Sequence, residues 1–423
     1  MSVLSQRVRR VFRALRPKPV AVAPAATLPA ALPRRHVPPP DPALQSCPAD
    51  TVLDVPRCPG CLDEARTPLF RFNRFALFDW QPDDRAATYN YALCHGCGVV
   101  YATRRPAGER YKWLMEHFED TLGRMESVGK IAITSRRLTD EERERLRQRA
   151  ARGVYVSDHS GVRSNEFIPA LMRERLANSP HVEMIGALVP VRNARVLEIR
   201  SRLGSISDAL RRLFDADVRA MTLFENQQFL IEEVYGVPAV SGIDFDHFHI
   251  PFEGIFDLIV ANHMLTHAVR PAEFLATVRR HLAPGGYLYV YNEVSEVEYL
   301  EKGKSMFSIN PFHLQVYNGP SLTRMLAANG FTTTFLTTLG DAYVCIARRD
   351  DAVAEEPARM TDKERAKRRS AYRKNLEASI LVLPPEARWR IPNWDEKLQQ
   401  AIASGTATVT KRGEVRLSQK RGR

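Results

Sequence analysis

The stretch RVLEIRSRLGSISDALRRLFDADVRAMTLF, residues 195–224, decides the fold. RVLEI (195–199) is a short apolar run of strand type, residues 206–214 carry helical spacing, and VRAMTLF (218–224) returns to a strand pattern. The alternation continues outward with a helix over 226–235, FDLIVA (256–261), a helix over 271–283 and GYLYVYN (286–292). Strands separated by helices in this order predict βαβ units and a parallel, doubly wound α/β sheet. FTTTFLT (331–337) and AYVCIA (342–347) lie only a Gly340 turn apart, which predicts an antiparallel terminal hairpin.

Upstream, Cys58-Pro-Gly-Cys61 and Cys94-His-Gly-Cys97 form two C-x-x-C pairs. Each pair can wrap one face of a tetrahedral ion, so together they predict a structural zinc site with four thiolates and no open position. His95 is expected outside that shell. Of the 6 cysteines, Cys47 and Cys345 stand apart from the pairs. This grouping fits a reducing, cytoplasmic setting better than a secreted disulfide framework. The expected organisation is a basic helix and Ala/Pro-rich linker (1–50), a knuckle module (51–118), a helical connector (119–180), the α/β domain (181–350) and a basic helical tail (351–423).

VLEIRSRLGS (196–205) resembles the first motif of class I S-adenosylmethionine-dependent methyltransferases, an acid followed by three alternating glycines. Glu198 matches the acid and Gly204 the last glycine, while Arg200 and Arg202 stand at the first two glycine positions. Glycine suits such a turn because it tolerates left-handed dihedrals and lets a ligand approach the backbone. The resemblance extends to 256–293, with Pro284-Gly285-Gly286 as the turn before the fifth strand, and to 312–331. It implies a Rossmann-like fold with S-adenosylmethionine as cofactor. It assigns cofactor contacts to Glu198, Arg200, Arg202, Gly204, to Glu225 as a ribose acid ending the second strand, and to Asp244 and Asp246 near adenine. His267, His313 and Glu293 become the catalytic candidates, with His263 a further possible base and Tyr317 on the substrate side. Together with the knuckles, the pattern is similar to zinc-ribbon methyltransferases acting on nucleotide-linked sugars, implying a small-molecule acceptor such as a sugar nucleotide or glycan precursor. Two arginines in place of glycines keep open a second reading, a non-catalytic scaffold.

No apolar run approaches the roughly 18–20 residues that a membrane crossing needs. The net charge of +12 is concentrated in the first 40 residues and the last 60 or so. LSQRVRRVFRALR (4–16) has the apolar spacing and arginines of an amphipathic basic helix. It is open to a peripheral contact with an anionic membrane surface, to an acidic partner, to an organelle transit sequence, or to no partner at all. Basic patches interleaved with aromatics are missing from the core, which argues against nucleic acid.

Overall fold

The computed structural model describes residues 52–73, 88–109, 168–294, 312–340, 342–351, 359–381, 394–409 and 415–417, with short pieces between 111 and 148. The basic N-terminal helix, the linker and Cys47 lie outside the described residues.

The knuckle module is an antiparallel sheet of β1 (Val52–Asp54), β2 (Arg66–Asn73), β3 (Thr88–Cys94) and β4 (Val100–Pro106), in the order β1-β4-β3-β2. A two-residue ladder, β5 (Ser127–Val128) with β6 (Ile131–Ala132), follows it in the chain. Helix α1 (Ile168–Leu188) then leads into the α/β domain. Its elements are β7 (Arg195–Ile199), α2 (Ser205–Phe214), β8 (Asp217–Met221), α3 (Glu225–Tyr235), β9 (Ala239–Val240), β10 (Phe256–Asn262), α4 (Pro271–His281) and β11 (Leu282–Val294). They continue as β12 (Gln315–Val316), α5 (Gly319–Ala328), β13 (Phe331–Leu339) and β14 (Ala342–Arg349). The chain closes with α6 (Asp362–Leu381), α7 (Trp394–Ala403) and the hairpin β15 (Ala407–Val409) with β16 (Val415–Leu417).

The main sheet has the order β13-β14-β11-β10-β7-β8-β9. The five strands from β9 to β11 are parallel, and β14 and β13 add the expected antiparallel hairpin at the edge. β10 is buried at six of its seven positions, as a central strand covered on both faces must be. The order reverses between β7 and β10, and in open α/β sheets that point opens the ligand crevice at the strand tips.

Two boundaries differ from expectation. The second strand of the sheet ends at Met221, so Glu225 opens α3 and does not end a strand. The buried Thr222, whose hydroxyl donates to Phe224 O, stands at the strand tip instead. The start of the basic tail also belongs to the fold. Arg368 on α6 donates to Gly98 O, Met360 N to Gly96 O, and Arg324 pairs with Glu364 at 2.8 Å, so α6 seats on the second knuckle. Gly98 is left-handed (φ 79), and a Cβ there would stand 2.7 Å from the Arg368 guanidinium, so glycine serves both turn and contact.

On α1, His181 is buried with Nδ1 2.9 Å from the Tyr289 hydroxyl. Burial holds its pKa down at about 4. The neutral ring therefore contributes stability fully present above the ordinary histidine value of roughly 6.5, and lost as pH falls toward 4. Chemical denaturation of the wild type between pH 7 and pH 4 should show a drop of up to about 3 kcal/mol relative to His181→Asn, whose amide does not titrate. Parallel pH profiles for the two proteins would contradict the assignment.

Candidate functional site

The first turn of the crevice is shaped by Glu198 and Gly204. Gly204 adopts φ 78, and a Cβ there would meet Tyr235 and Ile231 of α3 at 2.9 and 3.0 Å. Here glycine is required by the turn and by the close approach of the helix behind it. The Glu198 carboxylate is turned into its own loop. Oε2 accepts from Ser201 Oγ at 3.0 Å, Ser207 N at 3.1 Å and Ser207 Oγ at 2.5 Å, which ties the loop to the first turn of α2.

The two arginines separate. Arg202 is exposed. Arg200 is buried in a left-handed conformation (φ 61), a backbone state that costs a side-chain-bearing residue about 1 kcal/mol or more. Its guanidinium reaches across the tips of β7 and β10, donates to His263 O at 2.9 Å, and lies 5.6 Å from the centre of the Phe245 ring. Arg200 thus lies within the switch-point crevice.

The acids expected near the cofactor are otherwise engaged. Asp246 accepts from Arg270 Nε at 2.9 Å and from Gly108 N at 2.8 Å, joining α4's start to the knuckle module. Asp244 Oδ1 accepts from Asp246 N and His247 N, a local turn. Glu225 is exposed on the first turn of α3, where an acid also suits the helix N-terminus.

Opposite Arg200, three histidines converge. Their ring centres lie 4.5 Å (His263–His267), 4.8 Å (His263–His313) and 5.0 Å (His267–His313) apart. His263 sits just past β10, His267 in the turn that follows, and His313 two residues before β12. His267 Nδ1 faces Phe312 O at 3.1 Å. Burial first, then the neighbouring imidazoles and Arg200, push the pKa values of His263 and His267 well below the ordinary value. The His263 and His267 rings are therefore placed to be neutral donors or acceptors, with His313 buried beside them.

Glu293, expected to face the crevice, instead holds the histidine-bearing turn. Its oxygens accept from Leu265 N at 2.8 Å, Thr266 N at 3.0 Å and the Thr266 hydroxyl. Burial pushes its carboxyl up to about 7, against the three donors and Arg200, which pull it down. Tyr317 likewise turns inward, donating to Leu265 O at 3.1 Å. Two residues of the knuckle module complete the wall. Tyr111 donates to His267 O and Phe312 O, and Arg105 donates to Gln315 Oε1 at 2.8 Å and to Val269 O. Neither carries a sequence signal, because their partners lie more than 150 residues away. Phe245, packed between Arg200, His267 and Tyr111, is equally silent in the sequence.

In the knuckle module the four sulfurs of Cys58, Cys61, Cys94 and Cys97 lie within 4.8 Å of one another. Cys58 Sγ is 3.6 Å from Cys97 Sγ, and Cys61 Sγ 3.5 Å from Cys94 Sγ. A tetrahedral zinc with bonds of roughly 2.3 Å spaces its sulfurs by about 3.8 Å, so the set fits one. His95 turns away from it to Thr67 Oγ1 at 2.8 Å.

Residues 170–335 match the model of a family described as a methyltransferase domain. The matched span holds the Rossmann-like sheet from β7 to β11 and its switch point. Among solved structures, the chain is similar to an S-adenosylmethionine-dependent methyltransferase from Mesorhizobium loti, at 16% identity over 41% of this chain and 98% of that one, with a TM-score of 0.35. It is also similar to the 1,6-didemethyltoxoflavin-N1-methyltransferase of Burkholderia thailandensis, at 17% identity over 47% of this chain and 98% of that one, with a TM-score of 0.33. No curated protein matches the chain. The knuckle module lies outside the matched span, yet it supplies one wall of the α/β domain's crevice.

Replacing Glu293 by Ala would leave two buried amides and a hydroxyl without their acceptor. Each buried group left unsatisfied costs about 1–3 kcal/mol, so Glu293→Ala should lose at least about 2 kcal/mol in urea denaturation, and Glu293→Gln clearly less. Equal stability of the alanine variant and the wild type would refute the bracing role.

Proposed function

We propose that the protein transfers a methyl group from S-adenosylmethionine to a small-molecule acceptor, in the crevice between the tips of β7 and β10. The observation that carries this reading is the reversal of strand order at that point, with the Gly204 turn on one side and three buried histidines on the other. When bound, S-adenosylmethionine supplies an electrophilic methyl group. The chain's own residues orient and exclude water. The Gly204 turn and Arg200 would hold the cofactor, Arg200 through its carboxylate, a stronger charge-assisted partner than the His263 carbonyl. The neutral imidazole of His267, held by Phe312 O, stands ready to accept the acceptor's proton, with His313 beside it. Glu293 acts as a positioning residue through Leu265 and Thr266. Glu225 and Arg202, both exposed, remain candidates for the outer rim of the cofactor site.

The finer reading is that the acceptor is a sugar nucleotide or glycan precursor and that one zinc ion holds the knuckles. The four converging sulfurs support the zinc. The sugar-nucleotide acceptor rests on the joining of a knuckle module to this fold. Among the described residues no helix is long and apolar enough to cross a membrane.

A second reading, a non-catalytic scaffold, has its own observation: Arg200 already lies across the crevice. Calorimetric titration of S-adenosylhomocysteine separates the two. A working site should bind it, and Arg200→Gly should weaken binding about tenfold or more, whereas Arg202→Gly should change it little. No binding by the wild type together with a gain in Arg200→Gly would establish the blocked scaffold instead.

Elemental analysis should find zinc held by the knuckles, and Cys94→Ser should lose that ion. Because β4 and Tyr111 wall the histidine cluster, the same variant should also lose methyl transfer. Retention of both the ion and full activity would overturn the knuckle assignment.

A further inference from the structure

We propose that His263, His267 and His313 form a second metal site, a tripod of three imidazoles for a divalent transition-metal ion. Nothing about the cysteine knuckles or about cofactor binding requires such an ion, and where it is bound the free lone pair of His267 serves the ion in place of the acceptor's proton. The three histidines come from separate places in the chain, yet one ligating nitrogen from each lies within 4.8 Å of the others. With metal–nitrogen bonds of roughly 2.1 Å, a tetrahedral site spaces its nitrogens by about 3.4 Å, a closure of an ångström or so that side-chain rotation supplies.

Two features distinguish this cluster from stacked aromatic rings. The first is tautomer control. Phe312 O can only accept, so His267 Nδ1 carries the proton and Nε2 keeps its lone pair. A backbone carbonyl on the far nitrogen is the device by which ligating histidines are oriented and made more basic. The second is His263. Its Nε2 is buried with no hydrogen-bond partner among the described residues, and its backbone is left-handed at φ 52. A buried polar atom without a partner is costly, and a conformation that costs further energy to present it points to a ligand.

Imidazole ligands select zinc, copper, nickel or iron over magnesium and calcium. Three protein ligands leave at least one position open, unlike the four-thiolate site. Arg200 beside the ion disfavours a second bare positive charge, so the open position takes an anionic oxygen, hydroxide in the free protein and an acceptor oxygen in the complex.

The test uses the full-length protein, loaded with Co²⁺ and counted by elemental analysis. Two ions per chain are expected. The ion in the knuckles gives intense thiolate-to-metal charge-transfer absorption. The second adds only weak ligand-field bands, the mark of nitrogen and oxygen ligands. His263→Ala and His313→Ala should each weaken the second ion about 100-fold or more while the thiolate absorption stays. A wild type that saturates at one ion, or a second ion held unchanged by His263→Ala, overturns the site and leaves a cluster of neutral stacked imidazoles. If a variant fails to fold, the wild-type ion count and spectrum decide alone. S-adenosylhomocysteine titrated in parallel keeps the two readings apart. Its binding without a second ion rejects the tripod only, and a second ion without its binding rejects the cofactor reading only.

Discussion

The buried carboxylate of Glu293 governs the geometry of the crevice. It receives the amides of Leu265 and Thr266 and the Thr266 hydroxyl, and so fixes the turn between His263 and His267. Without that acceptor the turn would carry orphaned donors in the interior, a penalty comparable to a large share of a domain's net stability. The same turn is held from the other side by Gln315 Nε2, which donates to Leu265 O at 2.8 Å and Ala268 O at 2.5 Å. An acid at a strand tip thus works at one remove from the crevice, by shaping the loop that faces it.

That bracing explains why the knuckle module is inseparable from the α/β domain. β12 pairs with β4, placing Gln315 opposite Tyr101 and Val316 opposite Val100. The segment carrying His313 is therefore an added edge strand of the knuckle sheet. Tyr91, Tyr101 and Tyr111 of the module share one apolar core with Leu265, Tyr317 and Met325. α6 then seats on the second knuckle through Arg368, with Met360 just before the helix donating to Gly96 O. A metal in the knuckles would act on the crevice through this continuous packing, with no direct contact.

Arg200 is where local preference and function conflict. Its left-handed backbone and buried charge are each unfavourable, and they are offset by the His263 carbonyl and the face of Phe245. Natural sequences break local rules of this kind mainly at functional sites, which makes Arg200 the residue on which the reading of the crevice turns.

The sequence by itself determined the sheet, its terminal hairpin and the four-cysteine knuckles. Strand and helix periodicity, the Gly340 turn and the C-x-x-C spacing are local signals that each element carries within its own residues. It also placed Gly204, whose need for a left-handed turn is a local property. The tertiary structure decided what each acid and histidine does. Asp246, Glu198 and Glu293 look alike as carboxylates at strand ends, but one joins two modules, one ties its own loop and one braces a turn. Arg200 and Arg202 look alike as substituted glycines, but only Arg200 enters the crevice. The convergence of His263 and His267 with His313, and the wall of Tyr111 and Arg105 around them, joins residues far apart in the chain. Such contacts arise only when the sheet closes its order and buries both faces, so no periodicity in the sequence announces them.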